Sequence, residues 1–357
     1  MNKDFKNDFR SRKNAKNPSE NTVPICAKNL SEPELYDIIS HMISTIKHND
    51  ITWVNAISPS VKEISELAEK YGIIPKIAEE MASLTMHPKV ELYENYIYLV
   101  LHFPTLKSDI GARQALKNDK RGNLNGNNEI DFVIGRNFIL TVQYSIFPPL
   151  EELFKNAKAK KKFHDDYFKE DAGILGFKII KELLGVSEII LEQLFLKISR
   201  TEELAFDGFE KETIKKISVY KRDLLNFRRS CLPHYGIIFS FEQKAQEFFG
   251  TYFGKYSNTL SSKCLKIKNL MENASETLES LRQTSESLLT MKTNEIMKTL
   301  TIIAFITFPL TLLASLFGMN TIFTPILGVK GDFWIIIIIM AVAVAGMLAF
   351  FKSKKWL

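Results

Sequence analysis

The chain has 357 residues, 45% hydrophobic and 25% charged, with a net charge of +6; that length accommodates a soluble domain of about 250–290 residues and two membrane spans. Cys26, Cys231 and Cys264 are odd in number and scattered, and His41, His48, His87, His102, His164 and His234 never stand at a metal-ligand spacing, which excludes a disulfide framework and a zinc motif. The sequence holds no nucleophile elbow, phosphate-binding glycine loop or paired catalytic carboxylates, so we expect a protein that is not an enzyme.

In chain order, residues 1–30 are Asn/Lys-rich and aperiodic, a disordered basic tail without the apolar run of a secretory signal. Residues 31–155 are expected to form an α/β cytoplasmic domain. In it, Ser31-Glu32-Pro33-Glu34 has the spacing of a capping box and starts a helix, and Ile51–Val54 is a short strand. Ser60 caps a helix through Lys70, whose Val61, Ile64, Leu67 and Ala68 recur at helical spacing. Tyr96–Phe103 reads as a buried strand and Lys107–Asn128 as a solvated loop. Asp131–Val142 reads as a hairpin about Gly135-Arg136-Asn137. Residues 156–250 are expected to be a helical hairpin region. Its stretch Val186–Glu212 carries more acids than bases, which either attract cations or form a solvated helix face.

Between Lys255 and Phe317 there is no glycine and one proline, Pro309. Residues 251–317 therefore read as one stalk helix that continues into a first span, on the order of 95 Å long for its glycine-free part, of which about a third fits in a bilayer. Thr299–Val329 and Phe333–Phe351 contain no charge, and each holds an apolar core of about 18–20 residues, enough to cross. A loop over 318–332 joins the spans 251–317 and 333–351, and 352–357 is a basic tail. Lys292 and Lys298 precede the first span and Lys352, Lys354 and Lys355 follow the second. That asymmetry places both termini in the cytoplasm, and the chain is expected in the cell's inner (plasma) membrane.

Steps of three and four back from Gly318 give Ser315, Thr311, Phe308, Ala304, Thr301, Met297 and Asn294. Polar and small residues so gathered on one face either line a pore or pack helices tightly. The stripe stays polar through Thr290, Ser287, Gln283, Ser280, Glu276, Asn273 and Asn269, which favours a lumen. One two-span chain cannot enclose a conduit, so several copies must.

Gly318-Met319-Asn320 closes the first span, and in that place it resembles the signature of the CorA-type magnesium channels. The resemblance covers about residues 50–357. Asn294-Glu295-Ile296-Met297-Lys298 and Phe308-Pro309-Leu310-Thr311 resemble the family's first transmembrane helix. Pro88–Tyr96 and Lys221-Arg222-Asp223-Leu224 resemble parts of its cytoplasmic domain, and the terminal lysines resemble its basic tail.

This resemblance implies an α+β cytoplasmic domain, a long stalk helix and two C-terminal transmembrane helices, assembled as a homopentamer. It implies Mg2+ as cargo, with Co2+ or Ni2+ as further ions, entering through a filter of Gly318, Met319 and Asn320. The lumen is then lined by Asn294, Met297, Thr301, Ala304, Phe308, Thr311 and Ser315. Five neutral Asn320 amides bond the waters of a hydrated Mg2+ without stripping them. The resemblance further implies a basic ring of Lys352, Lys354 and Lys355, and a regulatory Mg2+ between neighbouring domains with Glu80, beside Glu79, as a ligand.

Three departures from the family stand out. Phe308 occupies a position that often carries Met, Thr321–Asp332 lacks the usual Met-Pro-Glu run, and Asn258 and Thr259 stand where an Asp is common. A zinc transporter of the same superfamily and a membrane-tethered coiled-coil scaffold are the alternatives. The partners expected are copies of the chain, the bilayer and divalent cations, with no nucleic acid.

Overall fold

The computed structural model describes residues 42–85, 87–104, 127–159, 166–206, 210–319 and 330–354, together with 326, 328 and 356. The basic tail, the helix start expected at Ser31, and most of the loop expected over Lys107–Asn128 lie outside the described residues. The chain divides into two compact units, one holding residues up to Gln193 with Arg222–Glu272, the other Leu194–Lys221 with Asn273–Leu357.

The first unit is built on a six-stranded mixed sheet. Its strands are β1 (Met42–His48), β2 (Ile51–Ile57), β3 (Lys89–Leu92), β4 (Tyr96–Pro104), β5 (Asn127–Gly135) and β6 (Phe138–Gln143), in the order β1-β2-β6-β5-β4-β3. All neighbours are antiparallel except β2 and β6, where Thr52–Ile57 runs parallel to Phe138–Gln143. The expected hairpin is β5–β6, paired from Ile130↔Gln143 to Ile134↔Ile139. Strand β1 is not visible in the sequence pattern, and β2 extends past the expected Val54.

Helices α1 (Val61–Tyr71) and α2 (Pro75–Met81) cover one face of this sheet. At the start of α1, Ser60 Oγ accepts from the Glu63 amide at 3.3 Å and Glu63 accepts from the Ser60 amide at 2.7 Å, a complete capping box. Gly72, at φ 66°, ends the helix in a left-handed turn that a side chain would strain. Ile64, Leu67, Ile77 and Met81 then pack with Val54, Tyr98, Val100 and Leu140. Leucine-sized side chains buried in this way contribute about 1.5–3 kcal/mol each relative to exposure.

Strand residues of opposite parity meet α3 (Pro148–Ala159), α4 (Ala172–Phe206) and α6 (His234–Phe249) on the other face. Trp53 sets its ring edge-on to Phe154 at 4.9 Å, and Phe103 stacks on Phe147 at 5.5 Å and meets His234 at 5.7 Å. A side-chain carbon at Gly176 of α4 would lie 2.9 Å from Ile134 Cδ1, so any larger residue there would push the isoleucine tip aside. With both faces covered, β4 and β6 are buried throughout.

After α5 (Glu210–Cys231) and α6, a 3-10 helix over Thr251–Tyr256 and the left-handed Asn258 (φ 65°) precede α7 (Thr259–Phe317). The stalk helix thus starts at Thr259, not near residue 251, and its 59 residues extend about 90 Å. One side of α7 is buried at Leu260, Cys264, Ile267 and Met271 in the first unit. The same side is buried at Ala274, Leu278, Leu281 and Ser285 in the second, at the three-and-four spacing of a packed stripe. Glu188 of α4 accepts from Lys266 and lies 3.5 Å from Lys263, so this acid ties α4 to α7 instead of attracting free cations. These hydrogen bonds, with the two lysine charges, hold its carboxyl below the usual range against the opposing effect of burial. In the second unit, α8 (Asp332–Ser353) lies beside α7, with Phe351 edge-on to Phe305 at 6.2 Å.

Candidate ion-conduction site

Helix α7 carries the whole predicted seam. Asn294, Met297, Phe308, Thr311, Ser315 and Gly318 are exposed, and Thr301 and Ala304 are half-buried. The polar continuation through Glu276, Ser280, Gln283, Ser287 and Thr290 is exposed as well, while Leu278 and Leu281 turn into the protein. Most of the seam is thus exposed, as is most of α7 beyond Ser285, where the off-seam Ile303, Phe305 and Leu312 are exposed too. Phe308 is 73% exposed, so it is not packed against α8 of its own chain.

The threonines of the seam have a defined polarity. Thr301 Oγ1 donates to the Met297 carbonyl at 2.8 Å and Thr311 Oγ1 donates to the Thr307 carbonyl at 2.9 Å. A hydroxyl whose proton is committed in this way presents only lone pairs. That suits the outward-pointing hydrogens of a hydrated cation. Between these two threonines Pro309 lacks the amide that would bond the Phe305 carbonyl.

At the end of α7 the Gly318 amide donates to the Ala314 carbonyl at 3.0 Å. A Cβ on Gly318 would stand 3.1 Å from that carbonyl oxygen, a tight contact in a backbone that is not left-handed. Met319 is exposed. Asn320 lies outside the described residues, as do Thr321–Pro325 and Lys355. Asp332 accepts from the amides of Gly328 at 3.2 Å and Phe333 at 2.7 Å. It stands in the first turn of α8, where a carboxylate is favoured by the helix dipole. Lys352 ends α8 and, like Lys354, is exposed.

Glu80, at the end of α2, pairs with Lys89 of β3, and Lys89 also lies 3.1 Å from Glu91. Burial opposes the charge on Lys89, but the hydrogen bonds to Glu80 and Glu91 outweigh it and raise its pKa. Glu79, Asn258 and Thr259 are exposed. An internal cation therefore already occupies the acid implied as a regulatory ligand. The i to i+9 pairing gives no periodic signal, and the sequence analysis did not anticipate it.

It also missed a polar cluster inside the sheet. Glu129 accepts from the Thr85 amide at 2.9 Å and meets His102 Nε2 at 3.2 Å. Asp131 accepts from the hydroxyls of Tyr98 at 3.0 Å and Tyr144 at 2.9 Å. Burial, reinforced by the charge of Glu129, pushes the Asp131 carboxyl well above the usual carboxylate range. Among the described residues no group of three His, Cys, Asp or Glu side chains forms a metal site. Cys231 and Cys264 are free and buried, and burial pushes the Cys264 thiol up to about 12.

The model of the CorA-like Mg2+ transporter protein family matches residues 48–354. The cobalt/magnesium transport protein CorA of Thermotoga maritima is 27% identical over 311 residues, 86% of this chain and 83% of that protein. The putative metal ion transporter YfjQ of Bacillus subtilis is 24% identical over 320 residues, 88% of this chain and 93% of its own. In fold, the complete structure of the CorA magnesium transporter from Methanocaldococcus jannaschii matches with a TM-score of 0.70 at 20% identity, covering 88% of this chain and 94% of that one. An α+β domain, a long helix and a C-terminal apolar helix recur in the same order, and the family match spans nearly all of them: the chain belongs to the CorA-like Mg2+ transporter family, whose members are membrane transporters and not enzymes.

Proposed function

We propose that this protein is a channel for divalent cations, Mg2+ before Co2+ or Ni2+, formed by five copies that each give the α7 seam to a central pore. The observation that supports this reading is that polar and small residues recur on one face of α7 from Glu276 to Gly318, most of them exposed, in register between the stalk and the apolar span. A membrane-tethered coiled-coil scaffold has no use for a polar seam that continues in register from the stalk into the membrane, whereas a conduit needs one along its full length.

Mg2+ sheds its waters reluctantly, so a conduit for it works best through second-shell contacts. Asn320 supplies a ring of neutral carbonyl oxygens at the entrance, and the acceptor-only hydroxyls of Thr311 and Thr301 receive the hydrated ion further in. Five Phe308 rings between them form an apolar constriction that closes by dewetting. With both termini cytoplasmic, a divalent ion moving inward gains about 4.6 kcal/mol per 100 mV, twice the ~2.3 kcal/mol of a single charge, so no ATP is needed. The two relatives described above carry names that specify cobalt, magnesium or metal-ion transport, in keeping with this cargo.

The test is Mg2+ uptake by purified protein in liposomes under an imposed inside-negative potential. Zn2+ and an imposed proton gradient serve as controls. We expect potential-driven Mg2+ entry that Asn320→Ala abolishes while the oligomer stays intact. Wild-type rates in a correctly assembled Asn320→Ala protein would sink the entrance assignment. Zn2+ uptake coupled to protons, without Mg2+ uptake, would make this a zinc transporter of the same fold.

A further inference from the structure

Between α7 and α8, near the C-terminal end of α8, lies an apolar groove of about 700 Å³, within the roughly 300–1,000 Å³ of ordinary ligand sites. Phe305 of α7 lines it with Gly346, Met347 and Phe350 of α8. A Cβ at Gly346 would meet nothing within 4 Å, so the glycine leaves that space open. Beyond α8 the Trp356 amide donates to the Phe351 carbonyl at 3.0 Å, and the indole stacks on Phe351 with centroids 6.0 Å apart. Trp356 and the charged Lys354 thereby join the lining at the end where α8 stops.

We propose that this groove binds an anionic phospholipid of the stalk-side leaflet, one acyl chain lying on Phe305, Gly346 and Met347 and the phosphate on the Lys354 ammonium. Three features of the groove select that occupant. From Ala343 to Lys354 the helix rises about 16 Å, about half of the ~30 Å hydrocarbon core, which is the depth of a single leaflet. An indole beside a lysine is the usual composition of a membrane–water interface, and basic pockets between transmembrane helices favour anionic headgroups. A helix from a second copy seated there would instead cover Lys354 without supplying an anion, which is costly.

The experiment uses the full chain in phosphatidylcholine vesicles doped with chain-brominated phosphatidylglycerol or, separately, chain-brominated phosphatidylcholine. Bromine on the chain quenches tryptophan on contact. The chain has three tryptophans, Trp53, Trp334 and Trp356. Trp53 is fully buried in the sheet domain and Trp334 lies at the opposite end of α8, so subtracting a Trp356→Phe variant isolates the groove.

We expect phosphatidylglycerol to be enriched at Trp356 by about fivefold, the factor that one lysine near a membrane surface supplies. Lys354→Glu should remove this enrichment, and Gly346→Phe should reduce quenching by either lipid. Equal quenching of Trp356 by the two lipids in the wild type overturns the headgroup assignment. Absence of Trp356 quenching while Trp334 is quenched normally shows a second copy in the groove and overturns the proposal. Should Gly346→Phe fail to assemble, the Lys354→Glu comparison decides alone. No ion flux enters this readout, so its outcome is separate from that of the channel reading.

Discussion

Gly318 and His234 show how single positions constrain the chain in opposite ways, one by space and one by charge. The Cβ of Gly318→Ala would meet the Ala314 carbonyl oxygen at 3.1 Å. That oxygen belongs to the backbone of α7, so relief requires the helix end itself to shift, not a side chain to swing aside. We expect Gly318→Ala to assemble normally and to lose much of its Mg2+ uptake because the entrance residue that follows is re-aimed. Unchanged flux would show that the entrance tolerates such a shift. His234 is buried against Phe103, and burial followed by the neighbouring His102 pushes its pKa down to about 3, from 6.5. The unfolded chain therefore binds the proton first as pH falls below 6.5, so this residue's contribution is intact above that pH and declines toward pH 3. The slope is at most about 1.4 kcal/mol per pH unit. Thermal melts of the purified protein between pH 7 and 5 should show wild type losing stability relative to His234→Phe, and parallel curves would contradict the assignment.

At the scale of the element, α7 is one helix with two jobs set by its two sides. Its Leu260-to-Ser285 stripe is buried in the protein, and its Glu276-to-Gly318 stripe is exposed except at Thr301 and Ala304, which are half-buried. Nothing interrupts the helix except Pro309, which removes a single hydrogen bond where the constriction is proposed. Phe308→Ala widens an apolar ring and lets water remain in it. We expect this variant to leak cations at internal Mg2+ concentrations that close the wild type. A closed-state conductance equal to wild type would assign Phe308 to packing against a neighbouring copy.

At the scale of the whole molecule, the proposed channel implies control of the pore by the sheet domain. The resemblance to the family places a regulatory Mg2+ between neighbouring domains, yet Glu80 is already paired with Lys89, and Asn258 and Thr259 supply no carboxylate. Burying Mg2+ there means displacing an ammonium with little anionic charge in return. We expect internal Mg2+ to close this channel over a broad concentration range, and Glu80→Ala to shift that range only modestly. The measurement is flux against internal Mg2+, wild type beside mutant. Steep closure at low concentration that Glu80→Ala eliminates would reveal ligands other than these.

What the sequence by itself determined is local. A glycine-free stretch ending at Phe317, the Ser60 cap and the Gly135 hairpin are properties of neighbouring residues, and each has its helix end, cap or turn in the structure where its spacing placed it. The tertiary structure alone decided which distant segments meet. The parallel pairing of β2 with β6, the burial of both sheet faces, the docking of Glu188 on Lys263 and Lys266, and the capture of Glu80 by Lys89 left no periodic trace. Strand β1 escaped notice for the same reason, since Met42–His48 is paired only with β2 and shows no strong alternation. Spacing along a chain records which face a residue takes. The partner it finds depends on closing long loops, whose entropy changes slowly with length and so leaves many pairings nearly equal until packing selects among them.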